Sequence, residues 1–157
     1  MRNTSMRSAS RRDILKQGGI LAALLSCGLL TIEQARAAVD AKVFQMKTMD
    51  ETLKALGGKP AESKDIELTT PDIAENGAVV PIAVTSKIPK TEEIYILVEK
   101  NPSPLSAAFT LAEGTEPFVS TRTKMGQTSN IYAIVKADGK LYSAMKETRV
   151  TLGGCGG

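Results

Sequence analysis

The chain contains no histidine, no tryptophan and only two cysteines. Without histidine, the Ser-His and Cys-His pairs of common nucleophilic catalysis cannot be assembled. No other nucleophile–base pair is visible, and no glycine-rich nucleotide loop can be recognised. The chain is therefore expected to be no enzyme in its own right, with no metal and no cofactor. A charge excess of one sign is also missing where it would matter. The whole chain has 20 Lys+Arg against 17 Asp+Glu, but the first 37 residues hold six basic residues (Arg2, Arg7, Arg11, Arg12, Lys16, Arg36) and two acidic ones (Asp13, Glu33). The rest carries fourteen basic and fifteen acidic residues, a net charge of −1. That removes the electrostatic support for nucleic-acid binding. The apolar stretch from about Gly18 to Ile32 is too short and too weakly flanked for a convincing membrane span. No internal repeat is present, and the length suits a single domain with one core.

What the N-terminus does have is an export pattern. Ser10-Arg11-Arg12-Asp13-Ile14-Leu15-Lys16 is a twin-arginine pattern, followed by the apolar stretch and then by Ala35-Arg36-Ala37, a small-x-small cleavage site. Cleavage is predicted after Ala37, releasing the mature chain into the periplasm. A competing pattern, Leu24-Leu25-Ser26-Cys27, loosely resembles a lipoprotein site with Cys27 as a lipid anchor, but the Ala-x-Ala site downstream fits better. If Cys27 leaves with the signal, Cys155 is the one thiol of the mature chain, and no internal disulfide is possible despite an oxidising compartment. The twin-arginine route carries folded cargo. With no cofactor motif to require it, the remaining reason is export together with a partner that has no signal of its own.

The body reads as one helix followed by strands. Thr48 can cap a short helix with Glu51 at the capping-box position; Met49, Leu53 and Leu56 share a face, and Gly57-Gly58 ends it. Such a helix persists only by docking that face. Seven β-rich runs follow: Asp65–Thr70, Ala78–Thr85, Ile94–Glu99, Ala107–Ala112, Phe118–Met125, Asn130–Lys136 and Lys140–Leu152. The breaks between them include Pro71-Asp72, Asn76-Gly77, the rigid loop Asn101-Pro102-Ser103-Pro104, and Asp138-Gly139, a hairpin signal. The predicted fold is all-β, an immunoglobulin-like antiparallel sandwich over residues 38–152. Two runs, Ile94–Val98 and Ile131–Val135, are apolar without alternation, so their second face is either covered by loops or meets another protein. Arg122, Lys124, Lys146 and Arg149 are either anion ligands near the C-terminus or a solvated strand face.

The end of the chain is the most specific feature. Cys155 stands between Gly153-Gly154 and Gly156-Gly157. Glycine has no Cβ, so this backbone bends freely and enters spaces where other residues clash. The expectation is a flexible arm over residues 153–157 that carries a thiol into another protein. If Leu152 is the last anchored residue, the sulfur stands roughly 10 Å from the body, at about 3.3–3.6 Å per residue. Transfer then requires a docked partner. A free thiol has a pKa of about 8.5, and nothing in the sequence lowers it, so activation falls to the partner's site. A disulfide staple between chains is the rival reading. Glycines on both sides argue against it, since they raise the entropy cost of fixing a cross-link. A thiocarboxylate at Gly157, as in ubiquitin-like carriers, would need a cytoplasmic ATP-dependent route and a different fold.

Val150–Gly157, with its GGCGG end, resembles the tail of the sulfur-carrier subunit (SoxY type) of the periplasmic thiosulfate-oxidising Sox system. The similarity extends over Asp72–Pro81, Val98–Pro102, Gly114–Phe118 and Thr123–Asn130. The resemblance implies an immunoglobulin-like fold and a heterodimer with a smaller, signal-less carrier subunit. It implies that a c-type cytochrome enzyme joins thiosulfate oxidatively to Cys155, that a hydrolase releases sulfate to leave a persulfide, and that a sulfane dehydrogenase, where present, oxidises the remaining sulfur. The site residues carried over are Cys155 and the arm glycines Gly153, Gly154, Gly156 and Gly157, with Arg11 and Arg12 as export signal.

Overall fold

The computed structural model describes residues 41–152. The expected signal, with Arg11, Arg12 and Cys27, and the expected arm, Gly153 to Gly157 with Cys155, lie outside the described residues. From Lys42 onward the described chain belongs to a single compact unit.

Helix α1 spans Met49–Leu56. The Thr48 side chain accepts a hydrogen bond from the Glu51 amide at 3.2 Å, as the capping pattern predicts. At the other end Gly57 takes φ of 129°, and the Gly58 amide reaches back to the Leu53 carbonyl at 2.7 Å. That backbone conformation favours a residue without Cβ. Met49, Leu53 and Leu56 pack against Val43, Tyr95, Leu97, Leu105 and Ile134.

Nine strands follow: β1 Ala61–Glu62, β2 Ile66–Thr69, β3 Ile73–Asn76, β4 Val80–Ser86, β5 Thr91–Val98, β6 Leu105–Thr110, β7 Phe118–Thr123, β8 Ser129–Ala137 and β9 Lys140–Leu152. They form two sheets. One runs β1-β9-β8-β5-β6, with β3 also on β9; the other runs β2-β4-β7. Each of the seven predicted runs overlaps a strand. Between them lies a core of Val80, Ile82, Val84, Ile94, Ile96, Val98, Met125, Ile131, Ala133 and Val135. The predicted hairpin at Asp138-Gly139 joins β8 to β9, with φ of 49° and 72°, the two positive values of a type I′ turn.

Two features depart from the sequence reading. First, Ile94–Val98 is apolar on both faces because α1 covers the outer one. Ile94, Ile96 and Val98 point into the sandwich, while Tyr95 and Leu97 pack under the helix with Ile134. Neither loops nor a second protein are needed to explain those positions. Second, the sandwich is not wholly antiparallel. β1 and β3, both outside the predicted runs, pair parallel with β9. β2 ends at Thr69 in one sheet, the chain bends through Pro71, and β3 resumes in the other sheet. Proline has no N–H to offer a ladder, so it suits the crossing point. The neighbour relations are those of an immunoglobulin-like sandwich whose first strand switches sheets.

Candidate functional site

The expected attachment residue, Cys155, follows Leu152 by three positions, so the site is built from the end of β9. The antiparallel ladder between β8 and β9 ends at Ser129 opposite Thr148. Beyond that rung, β9 is held on its other side by β3, with Ile73 opposite Arg149, Ala74 opposite Val150 and Asn76 opposite Leu152. Leu152 is thus the last described residue and is still strand-paired, as the reach estimate assumed.

The bend between β2 and β3 is bound directly to β9. Lys146 Nζ donates to the Thr70 carbonyl at 2.7 Å and pairs with Asp72 Oδ1 at 2.9 Å. Thr148 Oγ1 donates to the Pro71 carbonyl at 2.9 Å. Its single proton being used there, the Thr70 hydroxyl must be the donor in the 3.0 Å contact between the two threonine oxygens. Thr148 is fully buried and Thr70 nearly so. The Arg149 amide donates to the Asp72 carbonyl at 2.9 Å. Three successive carbonyls of the bend are therefore all occupied by β9. Further out, Val150 donates its amide to Thr128 Oγ1 at 3.0 Å, and Thr151 Oγ1 donates to the Glu75 carbonyl at 3.2 Å.

The loops around this end are tied to one another. Asn101 Nδ2 donates to the Lys124 carbonyl at 2.7 Å, and the Met125 amide donates to the Gly77 carbonyl at 2.6 Å. Met125 itself is completely buried. The Lys100 amide donates to Ser129 Oγ at 3.0 Å, and Asn130 Nδ2 to Glu99 Oε2 at 2.8 Å. Asn76 Oδ1 accepts from the Ala78 amide at 2.8 Å and opens the 3-10 turn Gly77–Val79. The segments 72–81, 98–102 and 123–130, singled out by resemblance, thus meet at one pole of the sandwich, around the exit of the arm. The fourth, 114–118, lies at the opposite pole, where with the β4–β5 turn it lines a recess containing Ser86, Ile88 and Leu111.

The four cations do not form an anion site. Lys146 is engaged in the bend. Arg122 stands opposite Pro81 in the sheet of β4 and β7, whereas Arg149 stands opposite Ile73 in the other sheet. Lys124 follows β7 in the loop. Near this pole the Tyr132 hydroxyl is pushed above its ordinary pKa of 10.0, first by burial and then by the Glu99 carboxylate, against a hydrogen bond with Asn130. Among the described residues no group of three acidic or thiol side chains could hold a metal ion, and no helix is long and apolar enough to cross a membrane.

The residues that sequence reasoning missed are Thr70, Asp72, Thr128 and Thr148, together with strand β3. The usable signal was Leu68-Thr69-Thr70-Pro71 followed closely by Ile73, a strand pattern interrupted by one proline. Ile73 is 58% exposed, so β3 lacks the buried alternation that marks a strand.

Comparison with known proteins agrees with this geometry. Residues 53–155 match the family described as Sulfur oxidation protein SoxY. The solved structure of the sulfur carrier protein SoxY from Chlorobium limicola f thiosulfatophilum is 39% identical, covers 67% of this chain and 97% of its own, and superposes with a TM-score of 0.60. A superoxide reductase (neelaredoxin) from Ignicoccus hospitalis overlaps more loosely, at 20% identity and a TM-score of 0.45, covering 54% of this chain and 79% of its own. No curated protein matches the chain at a significant level. The matched segment includes strands β1 to β9, the clamped end of β9 and Cys155, and the chain belongs to the SoxY family of sulfur oxidation proteins.

Proposed function

We propose that this chain is a covalent sulfur carrier of the Sox system that holds intermediates of thiosulfate oxidation on Cys155 and presents them to partner enzymes. Family membership supports a carrier role in sulfur oxidation. The observation that carries the finer reading is that β9 stays paired to Leu152, three residues before the cysteine. A thiol placed so close to a rigid exit reaches roughly 10 Å, at about 3.3–3.6 Å per residue. It is therefore deliverable into a cleft only when the cleft's owner is docked. An attached substrate is not lost between enzymes, and its effective concentration at each docked site is high.

The chemistry balances as a cycle on one sulfur. Loading joins the Cys155 thiol to the outer sulfur of thiosulfate; one S–S bond forms, one proton leaves, and two electrons pass to the c-type cytochrome. Hydrolysis then breaks the S–sulfonate bond with water, releasing sulfate and leaving a persulfide. A sulfane dehydrogenase, where present, removes six electrons from that sulfur with three waters, giving a second sulfonate that hydrolysis releases to restore the thiol. Thiolates attack and are displaced at sulfur, so cysteine is the fitting attachment point. The arm is Gly153, Gly154, Gly156 and Gly157. The other partner is the smaller, signal-less carrier subunit, in a heterodimer exported by Arg11 and Arg12 to the periplasm, with cleavage after Ala37.

Intact-mass spectrometry of the native protein, with and without reductant, tests the reading. Reductant-removable additions of sulfur or thiosulfate on Cys155 are expected, and Cys155→Ser is expected to take none while folding normally. An unmodified mass, or only a homodimeric disulfide after exposure to thiosulfate and cell extract, refutes it.

A further inference from the structure

Resting on the carrier reading above, we infer that Thr70 and Thr148, with Lys146, are positioning residues that set how much chain is free to swing Cys155. The ladder to β8 stops at Thr148, and residues 149–152 continue on β3. β3 is only four residues long and has β9 as its one strand partner. Two of its four side chains, Ile73 and Glu75, share the outer face with Arg149 and Thr151 and are exposed. Ala74 alone of the four is buried. What holds β3 in place is the bend before it, where Lys146, Thr148 and the Arg149 amide take the carbonyls of Thr70, Pro71 and Asp72. Val150 has a second hold, through Thr128 and the core.

The consequence is one of length. With β3 attached, Cys155 stands three residues beyond Leu152. With β3 released, the chain swings from Val150, which Thr128 still holds, and Cys155 stands five residues out, a reach of roughly 17 Å instead of 10 Å. Effective concentration at a docked site falls with about the −3/2 power of tether length once the span is exceeded, so the longer arm presents its thiol about twofold less effectively. The bend therefore keeps the arm short.

The experiment uses the full carrier as four chains compared side by side: Thr70→Val with Thr148→Val, Lys146→Met, and the unaltered chain with or without two glycines inserted after Leu152. Three quantities are read: amide hydrogen exchange at 149–152, the rate of Cys155 alkylation by iodoacetamide, and kcat/KM for thiosulfate loading by the cytochrome enzyme. The valine and methionine variants are expected to exchange faster at 149–152, to alkylate at the rate of the unaltered chain, and to load about twofold more slowly. The glycine insertion is expected to reproduce the loading loss with unchanged exchange. Unchanged exchange in the valine pair overturns the assignment of the bend. Unchanged loading in the glycine insertion, with loading lost in the valine pair, overturns the length argument, because the loss is then structural. An unaltered chain that takes no adduct overturns the carrier reading and this inference with it.

Discussion

Replacing Lys146 by methionine separates two interactions that one ammonium makes. The methionine keeps most of the aliphatic stem and removes the charge. Nζ donates to the Thr70 carbonyl at 2.7 Å and faces the Asp72 carboxylate at 2.9 Å, with the lysine side chain 38% and the aspartate 86% exposed. A carboxylate that open is solvated and screened, so the ion pair contributes about 0–0.5 kcal/mol. A hydrogen bond from a charged donor to a carbonyl is worth about 1.5–3 kcal/mol when buried, and partial exposure reduces it here to roughly 1–1.5 kcal/mol. Lys146→Met should therefore cost about 1–2 kcal/mol, while Asp72→Asn should cost no more than about 0.5 kcal/mol. In urea, with a slope of about 1–3 kcal/mol per molar, the first lowers the midpoint by roughly 1 M and the second barely moves it. The double variant should show coupling of no more than about 0.5 kcal/mol. Equal costs for the two single variants would refute the reasoning, since the ion pair and not the carbonyl would then hold the bend.

The remaining predictions concern the helix and the tyrosine beside the exit. Leu53→Ala removes a half-buried contact of α1 and should cost roughly 1–2 kcal/mol, below the range of about 2–5 kcal/mol for a fully buried leucine. Because an eight-residue helix does not persist alone, the undocked state should uncover Tyr95, Leu97 and Ile134 and bind a hydrophobic dye. A dye signal equal to that of the unaltered chain, at equal destabilisation, would show that the helix stays docked. Tyr132 titrates above 10, so its neutral form is favoured in the folded state. Its contribution to stability is complete below pH about 10 and is lost as pH rises through the folded value. Difference absorbance between the unaltered chain and Tyr132→Phe should therefore show a tyrosinate midpoint above pH 10; a midpoint below it contradicts the burial and the Glu99 effect.

Strand positions were legible wherever burial is periodic or continuous. Ile82, Val84, Ile94, Ile96, Ile131 and Val135 announce themselves because one face of each strand is dry. The turns were legible because Asp138-Gly139 and Gly57-Gly58 supply positive φ, a local steric property. The proposed attachment residue, Cys155 within its glycines, rests on composition alone, and so does the proposed export signal with Arg11 and Arg12. β3 was not legible. It is short, mostly exposed and preceded by proline, so local chemistry argues for a break. It exists because β9 offers it an unpaired edge, a long-range fact that no window of sequence contains. The second faces of β5 and β8 were equally undecided, since continuous apolar runs demand a cover without saying which.

The sequence by itself determined the sandwich class, the capped helix, the β8–β9 hairpin and a cysteine held between glycines at the end. Each follows from side-chain size, backbone freedom or periodicity within a few residues. Only the tertiary structure decided that α1 closes the outer face and that Lys146 and Thr148 are committed to the bend. It also decided that Arg122 and Arg149 fall in different sheets, and that β3 carries β9 out to Leu152. These depend on which strands lie side by side, and adjacency is set by burying one shared core rather than by any local preference.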